Sequence, residues 1–145
     1  MKKVLIVCNM DPNSNPRPNR MIGWLKDDYE VEVIGARKLN MDGIKSYALG
    51  PVPQWSDGQS LGSRIKRIVR RNYNLLAGNF EEVNASRLGD TRVIAKETAP
   101  KNYDLIISHD LVLLPLVFKI KGPKTRVMLD AREYYPRHFE ERWLW

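Results

Sequence analysis

A chain of 145 residues is long enough for one domain with its own core, and 43% hydrophobic with 28% charged residues is the balance of a soluble globular protein. A single cysteine, Cys8, excludes an internal disulfide framework and a cysteine-rich metal site, and two histidines, His109 and His138, exclude a histidine-rich one. The net charge of +7 points to an anionic partner without choosing among phosphate, nucleic acid and an anionic membrane.

The first element expected is a strand over residues 3–9 (KVLIVCN), a near-continuous apolar run of the kind covered on both faces. The lysines before it imitate a signal peptide, but the run is too short for one and no cleavage site follows. Cys8 reads as a small buried hydrophobe within that strand. Residues 10–18 form a loop, since three X-Pro pairs resist helix. A helix entered at Pro18 runs to about Lys26 with Met21, Ile22 and Leu25 inward.

Residues 30–35 (EVEVIG) give a second strand and 46–49 a shorter third. After a loop over 50–58, residues 60–76 read as an amphipathic helix, with Leu61, Ile65, Ile68, Val69, Asn72 and Leu76 at helical spacing. A helical stretch over 80–98, interrupted near Gly89-Asp90, and a turn over 99–102 lead to a strand over 104–108. A helix over 112–121, a turn at Gly122-Pro123 and a strand over 126–129 follow. A last helix begins near Pro136, and its apolar Phe139, Trp143, Leu144 and Trp145 imply an element beyond it. Strands alternating with helices predict an α/β, Rossmann-like, doubly wound parallel sheet in a single domain. No apolar stretch is long enough to span a membrane, and the chain reads as cytoplasmic.

In such sheets ligands bind outside the carboxyl ends of the strands. The first loop carries neither the GxGxxG dinucleotide fingerprint nor a Walker A pattern, and no aspartate follows the third strand as a phosphoacceptor receiver would need. Arg17 and Arg20 stand instead beside a helix entrance, a candidate anion site unless they are solvated or pair with Asp27 and Asp28. His109 and Asp110 close the fourth strand. Neighbouring side chains point to opposite faces, so they are not an acid–base pair with one another. Asp110 suits a helix cap, and His109 suits a donor to a substrate hydroxyl. Asp130 and Arg132 share one side after the fifth strand, with Glu133 starting the turn. That set suits sugar hydroxyls or phosphate, or else forms an internal ion pair. Arg64, Lys66, Arg67, Arg70 and Arg71 crowd the polar side of the helix after Ser60 with no acid among them, as on a helix that lies on anionic lipid or simply on a solvated basic face. No aromatic residues interleave with that cluster, which makes a nucleic-acid partner a poor fit.

Three segments carry a family resemblance: NPRPNRMIGWLKDDYEVEVIG at 15–35, DLIISHDLVLLP at 104–115 and LDAREYYP at 129–136. Together they resemble the N-terminal half of GT-B fold glycosyltransferases, most of all the retaining group-1 or family 4 enzymes. The resemblance covers both ends of the chain and leaves residues 50–99 unassigned. It implies that residues 1–145 are the acceptor-side domain of an enzyme moving a sugar from a nucleotide-sugar to a glycan or lipid-linked acceptor, as in polysaccharide biosynthesis. The donor-binding domain would lie outside these residues, so this chain alone is expected to be inactive and no catalytic residue is assigned within it. The implied reaction uses no metal and no cofactor, the nucleotide-sugar being a substrate. Implied substrate-binding residues are His109, Asp110, Asp130, Arg132, Glu133, Arg17 and Arg20. Implied partners are the missing C-terminal domain, the acceptor and an anionic membrane surface at the inner face of the plasma membrane. Two departures stand out: Arg132 occupies a place where the family commonly has histidine, and the first loop lacks the family's glycine pair. The alternative from another class is a non-catalytic Rossmann-like binding or assembly module acting through a partner chain.

Overall fold

In a computed structural model, which describes residues 1–49, 60–79, 88 and 91–131, five strands form one all-parallel sheet. The elements are β1 (Lys3–Val7), α1 (Pro16–Leu25), β2 (Glu30–Gly35), β3 (Lys45–Ala48), α2 (Leu61–Leu76), α3 (Arg92–Thr98), β4 (Leu105–Ser108), α4 (Leu114–Ile120) and β5 (Arg126–Leu129). The sheet order is β3-β2-β1-β4-β5. β1 is central, with Val4–Val7 paired to Val31–Ile34 on one side and to Leu105–Ser108 on the other. The expected Rossmann-like α/β layer is therefore present.

Alternation along β1 divides the core between two faces. Val4 and Ile6 pack with Val31, Val33, Ile107 and Ile22 of α1. Leu5 and Val7 pack with Ile34, Ile106, Ile94 of α3, and Leu116, Val117 and Ile120 of α4. Each such aliphatic side chain, fully removed from water, contributes about 1.5–3 kcal/mol. Cys8 is buried, as its place in the apolar run implies.

Element boundaries differ from expectation in instructive ways. α1 begins at Pro16 rather than Pro18, because Asn15 supplies the cap by accepting from the Arg17 backbone N–H. Both prolines then lie in the first turn, where backbone N–H groups have no intrahelical partner to lose. β1 ends at Val7, although the Cys8 N–H still donates to the Ile34 carbonyl. The expected helix over 112–121 divides into a 3-10 turn, Leu111–Leu113, and α4. The turn before β4 is also 3-10, Ala99–Lys101, and it ends at Asn102 in the left-handed region with φ 51°. The expected helix near Pro136 and its apolar residues lie outside the described residues, as does most of 80–90.

Towards the amino-terminal end of the sheet lies a buried polar knot that the strand pattern did not predict. The Glu32 carboxylate accepts from the Tyr47 hydroxyl at 3.0 Å, the Tyr103 hydroxyl at 2.7 Å and Lys101 Nζ at 2.8 and 2.9 Å. Lys101 Nζ also reaches the Tyr47 hydroxyl. This rim is opposite to the one where ligands bind in such sheets.

Candidate functional site at the carboxyl rim

β1 leads to β2 on one side, while β4 lies on its other side, so the chain reverses direction across the sheet between β1 and β4. The crevice at such a reversal is the usual ligand position in open α/β sheets. The residues at its edge are held by the strand ladders themselves. The His109 N–H donates to the Val7 carbonyl at 2.9 Å, and the Asp130 N–H to the Ser108 carbonyl at 2.8 Å. Both residues are thus fixed one step beyond the last paired positions of β4 and β5.

Asp130 is the centre of the arrangement. Its Oδ1 accepts from Arg17 Nη2 at 2.7 Å, and its Oδ2 stands 2.9 Å from His109 Nδ1. His109 is 1% exposed and lies behind Asp130, whereas the Arg17 side chain is 46% exposed and forms the outer edge. Asp110 turns elsewhere. Its Oδ1 accepts from the Val112 N–H and caps the 3-10 turn, while its Oδ2 accepts from Asn9 Nδ2 at 2.7 Å. His109 and Asp110 therefore take separate partners, as alternation requires, and Asp110 acts as the expected cap.

The asparagine-rich first loop owes its shape to side-chain hydrogen bonds. Asp11 Oδ1 accepts from the backbone N–H and side-chain amide of Asn13, and these bonds hold the Asp11 carboxyl below the usual carboxylate range. Asn13 also donates to the Lys38 carbonyl and accepts from the Asn40 N–H, which ties the loop to the segment after β2. The asparagines thus place the start of α1, and with it Arg17, against Asp130.

The expected partners of two residues change. Arg17 pairs with Asp130, and not with Asp27 or Asp28, because the start of α1 faces the end of β5 across the rim. Asp130 has its ion pair with Arg17, from a segment far away in sequence, and Arg132 lies outside the described residues together with Glu133. Arg20 is exposed and does not join the Arg17–Asp130 contact. Lys66, Arg70 and Arg71 are exposed on α2, and the side chains of Arg64 and Arg67 lie outside the described residues. Residue-by-residue reading missed Asn9 and Asn15. The only signal for them was the repeated asparagine around three prolines, which turn chemistry could have flagged as caps.

Chemically, the rim offers a carboxylate held between a guanidinium and an imidazole, with a second carboxylate and a carboxamide beside it. Such a set can accept from sugar hydroxyls and present a cation to an anion. Among the described residues, no group of three or more His, Cys, Asp or Glu side chains is arranged to hold a metal ion. No helix among the described residues is long and apolar enough to cross a membrane. No known family model matches the chain, and no curated protein and no solved structure matches it.

Proposed function

We propose that the chain is the acceptor-side domain of a retaining sugar-transferring enzyme of the GT-B kind, with the rim around Asp130 as the acceptor wall. One observation carries the reading. Arg17, His109 and Asp130 come from the three separate segments of the glycosyltransferase resemblance, and they meet at one point of the carboxyl rim. Residues that follow parallel strands share this rim in any such sheet, so their meeting supports a ligand site there, and the resemblance of the three segments supplies its sugar-transfer character.

On this reading, Asp130 and Asp110 accept from acceptor hydroxyls, and His109 holds Asp130 in place from behind. Arg17 faces an acceptor or donor phosphate, and Arg132 and Glu133, next along the chain, extend the same wall. The donor nucleotide-sugar is held by a second domain outside these residues. Cationic and backbone donors there stabilise the leaving diphosphate, which is an electrostatic effect. No metal or cofactor enters the scheme.

Amide chemical shifts of the chain, titrated with a short-chain polyprenyl-phosphate-linked saccharide and with the free saccharide, test the acceptor role. Perturbations centred on Asn9, Arg17, His109, Asp110 and Asp130 are expected, with Asp130→Asn weakening binding by about tenfold, the loss of one charge-assisted hydrogen bond. Absence of binding, or perturbations confined to another surface, would overturn the reading.

A further inference from the structure

Among the described residues, α2 is a helix that neither core cluster uses. None of its described apolar side chains belongs to either core cluster. Leu61, Ile65, Ile68, Val69 and Leu76 are 74, 53, 48, 61 and 90% exposed. Their spacing places them along one side from the first residue of the helix to the last. Away from that strip Lys66, Arg70 and Arg71 are exposed, and the helix sequence carries five cations between positions 64 and 71 and no aspartate or glutamate.

The ends of α2 are satisfied locally. At the start, the Ser63 N–H and hydroxyl donate to the Ser60 hydroxyl and carbonyl. At the end, Gly78 takes φ +71° and the Asn79 N–H donates to the Asn74 carbonyl, a left-handed glycine cap. The helix therefore has its own caps, while its described apolar side chains join neither core cluster. An exposed helix of this length has only marginal stability in water, and burial of its apolar face would stabilise it.

We propose that α2 is a membrane-docking helix, which lies in the plane of an anionic bilayer with its aliphatic side in the acyl boundary and its cations among the headgroups. Charge complementarity selects the occupant. Charge of a single sign spans about two turns, residues 64–71, beside an aliphatic strip that runs the length of the helix, matching a planar, laterally uniform anionic surface. A protein groove would need an acidic rim placed along those two turns, whereas an anionic bilayer presents negative headgroups all along the helix. The inference stands on α2 alone and is independent of the sugar-transfer reading.

Co-sedimentation of the chain with phosphatidylcholine vesicles, with and without phosphatidylglycerol, tests it. Binding is expected only with the anionic lipid and should weaken as salt screens the headgroups. In Lys66→Glu/Arg71→Glu, two lost cations at roughly fivefold each predict at least about a 25-fold lower partition coefficient. Ile65→Ser/Ile68→Ser should lower it by roughly tenfold or more, because burial of the aliphatic strip is lost. All four side chains lie outside the core, so circular dichroism of the unbound variants should retain the sheet signal. Absence of binding to anionic vesicles would overturn the proposal, as would equal binding to neutral ones. Wild-type binding by the Ile65→Ser/Ile68→Ser variant would show adsorption by charge alone and would overturn docking of the apolar face.

Discussion

Glu32 shows how a single side chain can combine two opposing effects. Burial pushes its carboxyl up, but hydrogen bonds from Lys101, Tyr103 and Tyr47, with the Lys101 charge, outweigh burial and hold it below the usual range. Its partners shift the other way. Burial and the hydrogen bond to Glu32 raise the Tyr103 hydroxyl, and the same two effects raise Tyr47. Lys101 is also raised, because its bonds to Glu32 and Tyr47 outweigh the opposing effect of burial. A depressed carboxyl contributes stability above its unfolded value, near 4.5, and loses it as pH falls through the folded one. The raised tyrosines and lysine contribute below about 10 and lose their contribution as pH climbs past that value. Urea unfolding of the wild type should therefore show stability falling below pH 4.5. In Glu32→Gln that acid-side slope should shrink while the rest of the profile keeps its shape. A Glu32→Gln profile parallel to wild type at acid pH would remove the knot from the account of stability.

Among the elements, the junction between β2 and the first loop controls where Arg17 sits. Gly35 closes β2 against Pro12, and a Cβ added there would stand 2.7 Å from Pro12 Cδ. A proline ring has no rotamer with which to retreat, so the loop backbone would have to move. That loop carries the Asn13 and Asn15 bonds that seat α1. Gly35→Ala should therefore cost about 1–3 kcal/mol, the usual range for overpacking. It should also shift the amide resonances of Asn13, Asn15 and Arg17. An unchanged urea midpoint with unchanged resonances would mean that Pro12 does not hold the loop. Arg17→Ala, by contrast, should change stability by less than about 1 kcal/mol, because its half-exposed pair with Asp130 is screened by water. Its effect belongs to ligand binding.

Across the whole molecule, protection should follow sheet position. β1 is bonded on both sides and covered on both faces, whereas β3 and β5 are the outermost strands among the described residues. Native-state hydrogen exchange should find Leu5, Ile6 and Val7 among the slowest amides, and the amides of the outer strands β3 and β5 opening earlier. Equal protection across all five strands would indicate one cooperative unit with no graded edge.

Most of the fold was legible because run length and spacing are local properties. KVLIV, EVEVIG and LIIS announced strands, NRMIGWL a helix, and their alternation a parallel layer. The rim was legible too, since residues that follow strands lie at its edge: His109, Asp110 and Asp130 were found this way. Their pairing was not. Arg17 meets Asp130 across 113 positions because β1, β4 and β5 are neighbours in the sheet, and no pattern within one segment encodes strand order. The partners of Glu32 were hidden for the same reason, as its neutralising lysine and tyrosines lie on other elements. The amphipathic pattern of α2 was equally plain in the residues, but periodicity says only that a helix has an apolar side. That this side faces away from both core clusters depends on which elements had already filled the sheet, and three-dimensional packing made that choice.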